Sequence, residues 1–142
     1  MPLRNISLMP IDSYAKALNT FDLKKVPIFC LIPTIMMSDK SKEIITSKVE
    51  LEHVISQMFA NFKQISLKTF MPILQQTMGL SGSLFFSKMR WQFFEEHDQH
   101  CFGCATSYTL QKMPDEQLQI IVAVIDDDEN QREAIFPLLS NL

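Results

Sequence analysis

The spacing of apolar positions changes along the chain, and each change predicts an element. Asp12 or Ser13 can cap a first helix by accepting an orphan backbone N–H. Behind them Tyr14, Ala17, Leu18 and Phe21 fall at i, i+3, i+4 and i+7, one apolar stripe of a helix ending near residue 21. Asp22 can cap a second short helix over residues 23–31, with Pro27 tolerated in the first turn, where a missing N–H costs nothing. Pro33 closes the helical stretch, and residues 34–38 and 42–47 read as short strands around a turn at Asp39-Lys40-Ser41. A longer helix is predicted over residues 49–62: Leu51, Val54, Ile55, Met58, Phe59 and Phe62 keep the 3.6-residue period. Ser47 stands three residues before Glu50, as in a capping box.

Strands occupy the second half. Residues 67–78 carry Pro72, which has no N–H for a ladder, so this strand is at an edge or bulges there. A turn over residues 79–82 precedes an aromatic strand, 83–95. Residues 105–113 alternate, with Thr106, Tyr108 and Leu110 on one face and Ser107, Thr109 and Gln111 on the other. After a turn at residues 114–116, the strand 118–125 is apolar on both faces and requires cover on both. The helices supply one cover; a second subunit on the outer sheet face, forming a homodimer, is the expected other. The order is α+β: a curved, mostly antiparallel sheet of about six strands wrapping three helices.

Composition narrows the function classes. The 142 residues fit one domain, with a core over about residues 10–128 and a tail over 129–142. Eleven Phe and nine Met suit a protein surrounding an apolar cavity, or simply a core rich in both. A net charge of −3 argues against a nucleic-acid surface, which needs a basic face. No window is apolar enough for a membrane span. The first residues carry no signal-peptide apolar core, and the three cysteines are an odd number, so the expected compartment is the cytoplasm. Ala134, Ile135, Phe136, Leu138 and Leu139 make the tail apolar enough to cover a cavity mouth or a partner.

Candidate chemistry is sparse. His97, His100, Cys101 and Cys104 form a zinc-type ligand set, but all four fall within eight residues of an expected hairpin loop, where separated ligand pairs are the rule. No metal and no cofactor are expected, and Cys30 reads as an inert buried thiol. Trp91 shares a strand face with Phe85, Met89 and Phe93; Leu84, Phe86, Lys88 and Arg90 share the other, and either stripe could line a cavity. Val122, Val124 and Asp126 share a face at the end of the last strand, and Asp126-Asp127-Asp128-Glu129 reads as a solvated acidic end unless that face is concave.

Three patterns resemble the nuclear transport factor 2-like superfamily, which includes ketosteroid isomerase-like and SnoaL-like proteins. They are the opening Tyr14-x-x-Ala17-Leu18-Asn19-x-x-Asp22-Leu23, the Arg90-Trp91 pair within a long strand, and Thr106-Ser107-Tyr108-Thr109-Leu110 before a final apolar strand ending in Asp126. The resemblance implies a cone-shaped fold. It also implies a role for Tyr14 as the hydrogen-bond donor that ketosteroid isomerase places on its first helix, the enzyme being a worked example of carboxyl pKa tuning. The isomerase base position is occupied by Met37, with Asp39 two residues on, and the third acid falls near Thr106–Tyr108, where there is no carboxylate. SnoaL-like cyclases draw acid/base residues from late strands, where this chain offers Asp126 and no histidine after His100.

Three functions stay open at this point. One is binding of a small apolar ligand by Tyr14, Met37, Met58, Trp91, Tyr108, Val122 and Val124. Another is a cavity enzyme of isomerase, dehydratase or cyclase type using Tyr14 with Asp39 or Asp126. The last is a dimeric interaction module whose cone is filled by its own side chains.

Overall fold

A computed structural model describes residues 11–96 and 100–129. Its elements run α1 (Ile11–Asn19), a 3₁₀ turn (Val26–Phe29), β1 (Cys30–Ser38), β2 (Ser41–Ile45), α2 (Lys48–Gln64), β3 (Leu67–Gly79), β4 (Leu84–Glu95), β5 (His100–Lys112) and β6 (Leu118–Asp126). The six strands form one open mixed sheet in the order β2-β1-β6-β5-β4-β3. Only the β1–β6 pair is parallel. The segments 1–10, 97–99 and 130–142, including the apolar tail and His97, lie outside the described residues.

Local chemistry explains most of the elements. Ser47 caps α2, its hydroxyl accepting the Glu50 N–H at 3.1 Å, and the Glu50 carboxylate accepts the Thr46 and Ser47 hydroxyls in return. The helix buries Leu51, Val54, Ile55, Phe59 and Phe62, the stripe that its periodicity predicts. β3 is an edge strand, one of the two placements that Pro72 allows, and its register shifts fall at Leu67/Thr69 and Leu74/Gln76 rather than at the proline. Its outer backbone edge is partly closed by Asn19 at the end of α1. The Asn19 carboxamide accepts the Phe70 N–H at 2.8 Å and donates to the Phe70 carbonyl at 3.0 Å, standing in for one residue of a neighbouring strand.

The second helix expected over residues 23–31 is the main departure. The Asp22 carboxylate does cap, accepting the N–H groups of Lys24 and Lys25 at 3.1 Å, but the backbone beyond it makes only a single 3₁₀ turn. Pro27 offers no helical N–H there, and from Cys30 the chain finds a ladder partner in β6, opposite Ile120. Two helices therefore pack on the sheet, not three, and β1 starts four residues earlier than predicted, with Pro33 inside it. The expected loop at residues 97–104 shortens likewise, because His100 to Cys104 belong to β5.

The core lies between the helices and one sheet face. Phe21, Phe59, Phe62, Phe70 and Phe93 meet there with ring centroids 4.7 to 6.1 Å apart. Phe21 holds this position with φ 52°, a left-handed conformation after the helix end that its aromatic packing sustains. The inner face of β6 is set by a bulge: Thr109 pairs with Val122 and Leu110 with Ile120, so Ile121 has no partner. Among the described residues no helix is long and apolar enough to cross a membrane.

Candidate functional site

Where α1, α2 and the inner sheet face diverge, they enclose a cavity of about 90 Å³. At about 10–15 Å³ per water-sized group this is room for about six to nine such groups. Helix residues Tyr14, Leu18, Ile55 and Met58 form one wall. The sheet contributes Thr34 and Met36 from β1, Trp91 from β4, Cys104, Thr106 and Tyr108 from β5, and Ile120, Ala123 and Ile125 from β6. Among the described residues no carboxylate or imidazole lines it.

Its polar character is concentrated at two tyrosines. The Trp91 indole N–H donates to the Tyr108 hydroxyl oxygen at 3.0 Å, and the Tyr14 hydroxyl lies beside the same group, as a hydrogen-bonding neighbour. The Tyr14 ring packs edge-on against Phe29, Trp91 and Tyr108, which fixes its direction. Tyr14 is half-buried as a residue, but its hydroxyl is desolvated by the atoms around the cavity. That burial, with the neighbouring Tyr108 second, raises its pKa well above the usual tyrosine value. Burial likewise raises the pKa of Tyr108, partly offset by the Trp91 hydrogen bond. Both phenols are therefore neutral donors at physiological pH. Whichever phenol donates to the other, the chain from the Trp91 N–H through Tyr108 and Tyr14 leaves one of the two hydroxyl hydrogens unused within it.

The remaining polar groups are quiet. Thr34 donates to the Ile120 carbonyl at 3.5 Å, and the Thr106 hydroxyl lies beside the Cys104 sulfur. Burial pushes the thiols of Cys30 and Cys104 up to about 12, so neither is a nucleophile at neutral pH. His100 is exposed at the start of β5 beside Gln92. No group of three or more His, Cys, Asp or Glu side chains is arranged to hold a metal among the described residues.

Tyr14, Met58, Trp91 and Tyr108, singled out from sequence, converge on this cavity. Five other candidates do not reach it. Asp39 is exposed in the β1–β2 turn. Met37 pairs with Val124 on the outer face, while Met36 and Ala123 face inward. The bulge at Ile121 reverses the alternation of β6, which turns Ala123 and Ile125 inward and leaves Val122, Val124 and the exposed Asp126 outside. An acid/base pair of Tyr14 with Asp39 or Asp126 is thus not assembled. Sequence reasoning also missed Cys30, Thr34, Met36 and Cys104 as wall residues; their only signal was alternation, whose phase it could not set.

No protein-family model matches the chain, and no curated protein matches it in sequence. Solved structures do match its shape. An NTF-2-like protein of unknown function from Shewanella oneidensis MR-1 superposes with a TM-score of 0.68 over 89% of this chain and 100% of its own, at 14% identity. A ketosteroid isomerase-like protein from Erwinia carotovora atroseptica gives 0.63 over 84% and 93%, at 13% identity. A cystatin-like-fold domain of unknown function from Nostoc punctiforme gives 0.64 over 81% and 70%, at 10% identity. With the strand order and the helix-covered inner face, these likenesses show that the chain has the α+β fold of the nuclear transport factor 2-like superfamily.

Proposed function

We propose that the cavity binds a small apolar molecule carrying one hydrogen-bond acceptor, such as a carbonyl oxygen. The observation that carries this reading is the pair of buried phenols Tyr14 and Tyr108 in an otherwise largely apolar cavity, whose chain from the Trp91 N–H leaves one hydroxyl hydrogen unused within it. An unsatisfied buried donor costs about 1–3 kcal/mol, which a ligand acceptor removes. The likeness to a ketosteroid isomerase-like protein is consistent with a small carbonyl compound. The reading implies no reaction, since the carboxylates that a proton transfer would recruit lie outside the cavity. Titration of the protein with acetophenone and with its hydrocarbon isostere isopropylbenzene, followed by ligand-observed NMR, tests it. Acetophenone should bind about tenfold tighter, and replacing both phenols together, Tyr14→Phe with Tyr108→Phe, should erase the preference. Equal binding of both probes by the unaltered protein overturns it.

A second reading concerns the outer sheet face, and one row of residues favours it. Ile44, Ile35, Val122, Thr109, Phe86 and Met78 are successive cross-strand partners spanning all six strands, apolar except for Thr109. Ile44 and Met78 are exposed at its two ends. We infer that a second copy of the chain covers this row, forming a homodimer. Val122→Lys should then lower the sedimentation-derived mass from dimer to monomer without unfolding the chain; a monomeric unaltered protein at high concentration refutes the pairing.

A further inference from the structure

Beyond β6 the chain turns back across the outer sheet face. Met89 and Trp91 point inward and are buried, so Arg90 between them points outward, where its guanidinium holds both Asp128 and Glu129. The same guanidinium passes 3.3 Å from the position of a Cβ on Gly103 of β5. The chain that leaves β6 at Asp126, opposite Ala105, is therefore drawn over β5 toward β4. Gly103 and Ala105 are buried beneath this crossing, although Val124 on the same face is exposed. The next strand in that direction is β3. Opposite Gln92 and Arg90 it carries Met71 and Ile73 on the outer face, 50% and 47% exposed. Two residues apart on one strand face, they form a single apolar patch, with Ile73 about 17 Å along β3 from Met78.

After Glu129 the sequence continues with the polar residues Asn130, Gln131, Arg132 and Glu133, and then with Ala134, Ile135, Phe136, Leu138 and Leu139. Four extended residues span at most about 14 Å. From the Arg90 guanidinium above β5 to β3 is about two strand spacings, or about 10 Å. The polar stretch is thus long enough to bring the apolar one to Met71 and Ile73, and too short to carry Ala134 far past them. We propose that residues 134–139 dock on Met71 and Ile73 of their own chain, with Arg90 as the anchor that starts the tail in that direction. Docking removes apolar surface of both partners from water, at the cost of ordering the tail. The anchor lowers that cost by holding the tail at high effective concentration over the patch. The docking rests on neither reading above, since the patch lies off the row assigned to a second copy.

A double-mutant cycle in the full chain tests this. Ile73→Ser and Phe136→Ser should each lower the melting temperature by about 2–4 °C. The two together should lower it no further than the larger single effect, because either one already breaks the contact. Val49→Ser, at an exposed apolar position of α2, should instead add in full to Phe136→Ser. Trypsin cleavage after Arg132, read by mass spectrometry as release of residues 133–142, gives a second measure. That release should run about fivefold faster in Ile73→Ser and in Arg90→Gln than in the unaltered protein. Additive losses at Ile73 and Phe136, or no loss from Phe136→Ser, overturn the docking, as does release at the unaltered rate in Ile73→Ser. Release at the unaltered rate in Arg90→Gln alone overturns the anchoring role of Arg90. Coupling that vanishes on dilution, as the sedimentation-derived mass falls to that of a monomer, places the tail on a second copy and overturns the same-chain assignment.

Discussion

The two faces of β6 are almost equally apolar and live in different environments. Ile120, Ala123 and Ile125 face the helices and are buried, Ile125 retaining 4% of its surface. Val122 and Val124 face away from the helices, and Val124 is 38% exposed. Hydrophobicity does not distinguish them; the single unpaired residue Ile121 does, because it shifts the alternation by one position. A side chain's chemistry thus says that it needs cover, whereas the sheet's register says which cover it receives.

That contrast can be broken by substitution. The largest expected effect is on the inner face, where Phe93→Ala should cost about 3–5 kcal/mol in urea unfolding, by lost transfer energy and the cavity left among Phe62, Phe70 and Phe102. Val124→Ala on the outer face should cost less than about 1 kcal/mol in dilute protein. A cost that rises with protein concentration sharpens the contrast into evidence for a covering copy.

Gly103→Ala couples the two faces. A Cβ at Gly103 would sit 2.7 Å from the Trp91 carbonyl oxygen and 3.3 Å from the Arg90 guanidinium, which passes over this glycine to reach Asp128 and Glu129. Because the clash is with backbone, β4 must move, at a cost of about 1–3 kcal/mol. The fluorescence of Trp91, the sole tryptophan, should shift as its bond to Tyr108 is disturbed. An unchanged spectrum and melting point would mean that the faces are independent.

The last effect is alkaline and absent at neutral pH. Cys30 and Cys104 have folded pKa values raised from 9.0 to about 12, so the unfolded chain loses these protons first. Folding stability is unaffected by them below about pH 9 and falls as the pH rises from about 9 toward 12, by about 1 kcal/mol per thiol between pH 9 and 10. Cys30→Ala and Cys104→Ala should each flatten that slope in chemical denaturation; an unaltered slope would place both thiols in contact with water.

The fold was legible wherever its cause was local. The α2 cap and stripe lie within residues 47–64, and the alternation of Thr106, Tyr108 and Leu110 survives in β5 with all three buried. Pro72 announced an edge because it lacks a donor. The segment 23–31 misled because β1 pairs in parallel with a strand about ninety residues later, and that partner was invisible from either sequence stretch. The site was legible in half. Tyr14, Met58, Trp91 and Tyr108 lie on stripes that the structure turns toward the cavity, whereas Met37, Val122, Val124, Asp39 and Asp126 depended on a phase that a bulge and a turn decided.

Residue order by itself determined the α+β succession, the capping of α2, the edge position of β3 and the presence of two aromatic donors in an apolar setting, since each arises from interactions spanning a few residues. Tertiary structure alone decided that Met36 rather than Met37 faces the cavity and that Asp126 stands outside. Those outcomes rest on strand register, and register is settled by pairings between residues far apart in the chain, where one extra residue exchanges inside for outside.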